Sequence, residues 1–157
     1  MSDTKYSLPE YPVVEDMWDR LARETRPIVV YGMGNGADKL FSRLCALGVT
    51  VADVFASDGF VRGHSFRGYR VNSFSEIKEK YSDFVILLSF ASNRSEVLEL
   101  LTDIDKNYDM YIPDMPVAGE EYFDREYYNA HYAEIKDAFN ALADEDSRRI
   151  FSSVVRY

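Results

Sequence analysis

Ile28-Val29-Val30-Tyr31-Gly32-Met33-Gly34-Asn35-Gly36-Ala37-Asp38 joins a short β-branched run to three glycines at alternate positions. Four apolar residues in a row, with no polar alternation, read as a strand buried on both faces. The glycines make a tight turn. Beyond them Ala37, Leu40, Phe41, Leu44 and Leu47 recur at helical spacing, and Gly48 is a natural stop. Val49 to Phe55 is a second strand. Strand, glycine turn, helix and strand make a βαβ unit, for which a parallel sheet and a right-handed crossover are expected.

Working outward, Val14, Met17, Trp18 and Leu21 place a leading helix near residues 12–25, broken by Pro27. Downstream, 57–70 is a glycine-containing loop, followed by a short strand around Tyr69 to Val71. Ser73 and Glu76 have capping-box spacing for the next helix. Phe84 to Leu88 is the most apolar run and predicts a central strand. A helix carrying Val97, Leu100, Leu101 and Ile104 follows, then a short strand Met110–Ile112 ended by Pro113.

After that the character changes. Tyr122, Phe123, Tyr127, Tyr128 and Tyr132 lie among acids. A helix with Ile135, Ala138, Phe139 and Leu142 follows, and a last one from Asp144 carries Ile150, Phe151, Val154 and Val155. The expected fold class is α/β, a three-layer Rossmann-like, mainly parallel sheet with a helical C-terminal extension. The expected divisions are a helical lead-in over 1–26, a nucleotide-binding-type domain over 27–117 and a tyrosine-rich extension over 118–157. The last helix has no Gly or Pro stop, which suggests trimming before a further domain.

The chain has 157 residues, 46% hydrophobic and 29% charged, which suits one globular core. A net charge of −9 and a pI near 4.7 argue against nucleic acid or an anionic membrane as partners. The polar N-terminus and the absence of a long apolar run make a cytoplasmic location the default. Cys45 is the sole cysteine, so it forms no internal disulfide, and its place in a helical apolar pattern reads as burial. His64 and His131 lack ligand spacing, so no metal is expected.

Gly32, Gly34 and Ala37 fit G-x-G-x-x-A. Gly32 permits the turn, Gly34 lets a ligand approach the backbone, and Ala37 lets the helix pack near the strand. The helix start, with Asn35 and Gly36, offers unpaired N–H groups to a phosphate or carboxylate. An acid after the second strand would accept ribose hydroxyls. Asp53 has about the customary spacing of twenty residues, whereas strand phase favours Asp58, for which a solvated loop acid is the competing reading. Ser89 and Ser92 flank the end of the central strand, as ligand contacts or as helix caps. Arg62, Arg67 and Arg70 form either a phosphate clamp or a soluble loop. The G-x-G-x-G spacing also occurs in S-adenosylmethionine (SAM) enzymes, but these place an acid where this chain has Val30.

Val29 to Asp38, Asp53-Val-Phe-Ala-Ser-Asp58, Phe66-Arg-Gly-Tyr-Arg-Val71 and Leu142 to Phe151 together resemble the region preceding the catalytic domain in some FkbM-family methyltransferases. The first half is also similar to the nucleotide-sugar-binding domain of sugar acyltransferases. The resemblance implies a SAM-dependent methyltransferase domain following Tyr157 and no catalytic residue in this chain. It carries over a ligand pocket of Gly32, Gly34, Asn35, Gly36, Ala37 and Asp58. The expectation is a non-catalytic module for a nucleotide or sugar nucleotide, with SAM as cofactor of the following domain. The alternatives are an NAD(P)-dependent oxidoreductase domain, and a structural module with an empty turn. In the latter the tyrosine-rich tail mediates a homodimer; the tyrosine cluster otherwise reads as packing within this chain or docking against a missing catalytic domain.

Overall fold

The structure, a computed structural model, describes residues 8, 16–61, 63–116, 119 and 121–156. Two compact units divide the chain, one of residues 17–115 and one of residues 1–16 with 116–157.

The first unit is built on a six-stranded sheet. Its elements are α1 (Met17–Ala22), β1 (Ile28–Tyr31), α2 (Asn35–Ala46), β2 (Val51–Ala56), β3 (Ser65–Phe66), β4 (Tyr69–Ser73), α3 (Phe74–Lys80), β5 (Val85–Leu88), α4 (Ser95–Asn107) and β6 (Asp109–Tyr111). The spatial order is β3-β4-β2-β1-β5-β6, and every pairing is parallel except β3 with β4. The chain therefore steps outward from β1 to β2 and β4, then crosses back over β1 to β5 and β6. This α/β arrangement is compatible with a Rossmann-like fold. Its reversal of direction lies between β1 and β5, where open α/β sheets form a crevice at the carboxyl ends of their strands.

Both faces of the sheet are covered, which is why β1 and β5 are apolar at every position. On one face Ile28, Val30, Val54, Val71, Val85 and Leu87 pack with Leu21 of α1 and Ala37, Leu40, Phe41 and Leu44 of α2. On the other, Val29, Tyr31, Phe55, Phe84, Ile86 and Leu88 pack with Ile77 of α3 and Leu101 and Ile104 of α4. Each fully buried residue of this size contributes roughly 1.5–3 kcal/mol. Aromatic rings reinforce the second face: Tyr31 stacks on Phe55 at 4.5 Å, and Phe55 on Phe74 at 5.3 Å.

A register shift interrupts the pairing of β1 with β2, where Ile28 faces Val51 but Val29 faces Asp53. Ala52 is the extra residue of this bulge. Val51 and Val54, three apart, thereby join the same apolar cluster. Asp53 is only 7% exposed. Its carboxylate accepts hydrogen bonds from Asn72 Nδ2 at 3.0 Å, Lys80 Nζ at 2.6 Å and the Tyr81 hydroxyl at 2.7 Å. Asp53 is thus a fully partnered mid-strand acid that ties β2 to β4 and to the end of α3.

Several boundaries differ from the sequence expectation. The leading helix stops at Ala22 because Glu24 Oε1 accepts the N–H groups of Thr25 and Arg26, a local turn that competes with another helical turn. Residues 12–15 lie outside the described part. The 57–70 loop ends in a β-hairpin closed by Arg67-Gly68, with φ of 48° and 86°. Two successive positive φ values match the twist of a two-residue hairpin. Ser73 and Glu76 form the expected capping box. Cys45 is exposed, contrary to the expected burial. It follows Leu44 by about 100° of helix rotation and so leaves the apolar stripe.

In the second unit α5 (Arg125–Ala130), α6 (Tyr132–Ala141) and α7 (Glu145–Arg156) realise the helical C-terminal region. Asp124 caps α5 by accepting the Tyr127 N–H, and Asp144 accepts the Ser147 N–H at the start of α7. Rings of the tyrosine cluster meet one another: Phe123 meets Tyr128 at 6.1 Å, Tyr128 meets Tyr132 at 5.7 Å, and Tyr127 lies near His131 at 4.3 Å. Phe139 and Val155 are buried, Leu142 falls at the end of α6, and Ala138, Ile150 and Val154 are exposed. Among the described residues no helix is long and apolar enough to cross a membrane.

Candidate functional site

The glycine turn lies at the reversal point, between the end of β1 and the start of α2. Gly32 continues the ladder by donating to the Phe55 carbonyl at 2.9 Å, then turns with φ of 117°. Only glycine adopts that angle readily. Gly34 is the N-cap of α2 in an extended conformation and supplies no side-chain cap. The first helical bond runs from the Asp38 N–H to the Gly34 carbonyl at 3.1 Å. The N–H groups of Asn35, Gly36 and Ala37 consequently have no acceptor within the helix.

The three glycines do different work. A side chain at Gly36 would overlap the Ser89 carbonyl oxygen, with the carbonyl carbon only 3.1 Å away. One at Gly32 would overlap Ser89 Oγ and come within 3.0 Å of the Phe90 ring. One at Gly34 would meet nothing within 4 Å among the described residues. The close helix–strand approach expected of Ala37 is therefore shared with Gly36. Ala37 is fully buried against the core, Gly34 and Asn35 are exposed, and Gly36 is half-buried.

Ser89 is buried, and its hydroxyl donates to the Tyr31 carbonyl at 2.8 Å, beside its own backbone N–H at 3.0 Å. It locks β5 to β1 beneath the turn, so its side chain is already committed. Ser92 likewise accepts locally, from the Arg94 N–H at 3.3 Å.

Asp58 stands where strand phase places it, exposed in the one-turn 3-10 helix Asp58–Phe60 just beyond β2. Ser57, immediately before it, is bonded to the Tyr31 hydroxyl. That contact joins the ends of β1 and β2 and fixes where the 3-10 turn begins. Phe60, 62% exposed, closes the same turn. The sequence reading overlooked Tyr31 and Phe60. Tyr31 was visible only as one more strand residue, and nothing in a loop pattern announces an exposed phenylalanine.

The arginines separate. Arg67 Nε pairs with Asp38 at 2.7 Å and its guanidinium lies over Phe41, while Arg70 pairs with Glu76. The Ser73 backbone N–H and Arg70 together hold the Glu76 carboxyl below its usual range. Arg62 lies outside the described residues. His64 is exposed, and His131 pairs with Glu134 in the other unit. Among the described residues no cluster of three or more His, Cys, Asp or Glu could hold a metal ion.

The site therefore combines an unobstructed Gly34, a helix start whose first N–H groups have no acceptor within the helix and an exposed carboxylate beyond the neighbouring strand. Chemically it can present donors to an anion and acceptors to hydroxyls. No protein-family model matches the chain, and no characterised protein or solved structure is found to match it.

Proposed function

We propose that this chain is a Rossmann-like, non-catalytic binding domain for a nucleotide or sugar nucleotide, acting as the N-terminal part of an FkbM-like SAM-dependent methyltransferase. One observation carries the reading. At the reversal point of the sheet, Gly34 and the uncapped start of α2 are open, while Asp58 is exposed beyond the adjacent β2. The ligand's phosphates lie against the N–H groups of Asn35 to Ala37, where the helix dipole favours negative charge. Asp58 accepts the ribose hydroxyls. Gly32, Gly36 and Ser89 hold the turn in shape.

The test is a thermal-shift screen with nucleoside diphosphates, UDP-, CDP- and GDP-sugars, NAD, NADP and SAM. A ligand at 100 times its Kd stabilises the folded state by about 2.7 kcal/mol. A nucleoside diphosphate or its sugar raises Tm, and Asp58→Ala removes that shift without altering the Tm of the free protein. A shift from SAM alone would overturn the reading, as would no shift from any nucleotide.

A further inference from the structure

Resting on that reading, we infer that Phe90 and Ser89 leave the site a single nucleoside subsite, so that it recognises a nucleoside diphosphate, with or without a sugar, and gains nothing from a second nucleoside. The argument comes from the asymmetry of the glycine turn. A dinucleotide on such a sheet spans the reversal point, with one nucleoside on each side of the glycine turn. Here the residues that follow β5 pack directly onto the turn. Ser89 closes on the turn at both ends, its carbonyl against Gly36 and its hydroxyl against Gly32. Phe90 follows directly. Its ring lies within 3.0 Å of the position a Gly32 side chain would take and meets Tyr31 edge-on at 5.0 Å, 88° between planes.

Phe90 is not a loose surface ring. It packs against the cluster formed by Tyr31, Phe55 and Leu88, so displacing it breaks an apolar contact and an aromatic pair. An aromatic pair of this geometry is worth more than its buried area alone. Towards β2 there is no such closure: Asp58 and Phe60, just beyond that strand, are exposed, and a side chain at Gly34 would meet nothing within 4 Å among the described residues. That side is left to one nucleoside and its diphosphate, with whatever is esterified to the far phosphate extending into solvent.

The experiment compares ADP with NAD, and UDP with diuridine diphosphate, by isothermal titration of the 157-residue chain and its Phe90→Ala variant. The expected result is that neither dinucleotide binds the unaltered chain more than about threefold tighter than its mononucleotide. Truncating Phe90 then raises the dinucleotide-to-mononucleotide affinity ratio at least fivefold. A dinucleotide binding the unaltered chain tenfold or more tightly than its mononucleotide would overturn this inference and leave the proposed function standing. An unchanged ratio in Phe90→Ala would remove Phe90 as the determinant. Binding of none of the four would overturn the proposed function and this inference together.

Discussion

Two glycines two residues apart should respond oppositely to substitution. Gly36 lies in the first turn of α2, where alanine ordinarily stabilises a helix by up to about 1 kcal/mol over glycine. Its missing side chain points at the Ser89 main chain, which is held by two hydrogen bonds to the Tyr31 carbonyl. Backbone in that position does not yield as a flexible side chain would. Forcing a methyl group into a packed site costs roughly 1–3 kcal/mol, and this overlap lies at the upper end. The helical gain offsets part of it, so Gly36→Ala should lose about 2 kcal/mol, or roughly 8–16 °C in Tm for a unit of this size. Gly34→Ser has open space and an extended backbone, and serine is at least as good an N-cap as glycine. Its Tm should stay within about 2 °C of the parent, yet its side chain occupies the open face of the turn and should remove the nucleotide-induced shift. Thermal unfolding followed by circular dichroism, with and without nucleotide, reads both. A Gly36→Ala protein as stable as the parent would refute the assignment of Gly36 to helix–strand packing.

Three other outcomes are expected. Ser73→Ala breaks the capping box of α3 and should cost about 1 kcal/mol in urea unfolding, with Ser73→Asp largely restoring it; equal stability of all three would contradict the cap. Arg67→Gly removes a left-handed arginine, worth about 1 kcal/mol of strain, together with an exposed ion pair worth up to about 1 kcal/mol. Stability should consequently change by less than about 1 kcal/mol, and a larger loss would mean that Arg67 clamps the hairpin far more strongly than its exposure suggests. The Arg26 side chain, followed by its backbone N–H, holds the Glu24 carboxyl down to about 2. A depressed carboxyl contributes stability above its unfolded value, near 4.5, that is lost as pH falls towards 2. The Tm gap between the parent and Glu24→Gln should therefore be widest above pH 5 and close towards pH 2.5, and a constant gap would show that the ionised pair contributes nothing.

Local pattern carried most of the element assignment. The unbroken run Ile28–Tyr31, the glycines after it, the apolar spacing of α2 and the Ser73/Glu76 pair each state their structure within a few residues. Hydrogen-bond geometry and side-chain periodicity act over one or two turns, so they can be read from neighbours in the chain. Where the pattern misled, a longer-range partner decided. Cys45 looked apolar by context but sits just off the stripe, and Arg67 gave no sign of a left-handed conformation that Asp38 and Phe41 support from α2.

The sequence by itself determined a βαβ start, a glycine turn at its first crossover and an acid beyond the second strand, because each depends on residues adjacent in the chain. Only the tertiary structure decided the strand order, and with it the place where the sheet reverses direction. It also decided that Asp53 is spent inside the sheet while Asp58 remains open, through a one-residue bulge that no periodicity reveals. The division of labour among the glycines came from the same source. Gly32 and Gly36 are distinguished from Gly34 by Ser89 and Phe90, more than fifty residues away in the chain, and contacts across that separation exist only once β5 has been laid beside β1.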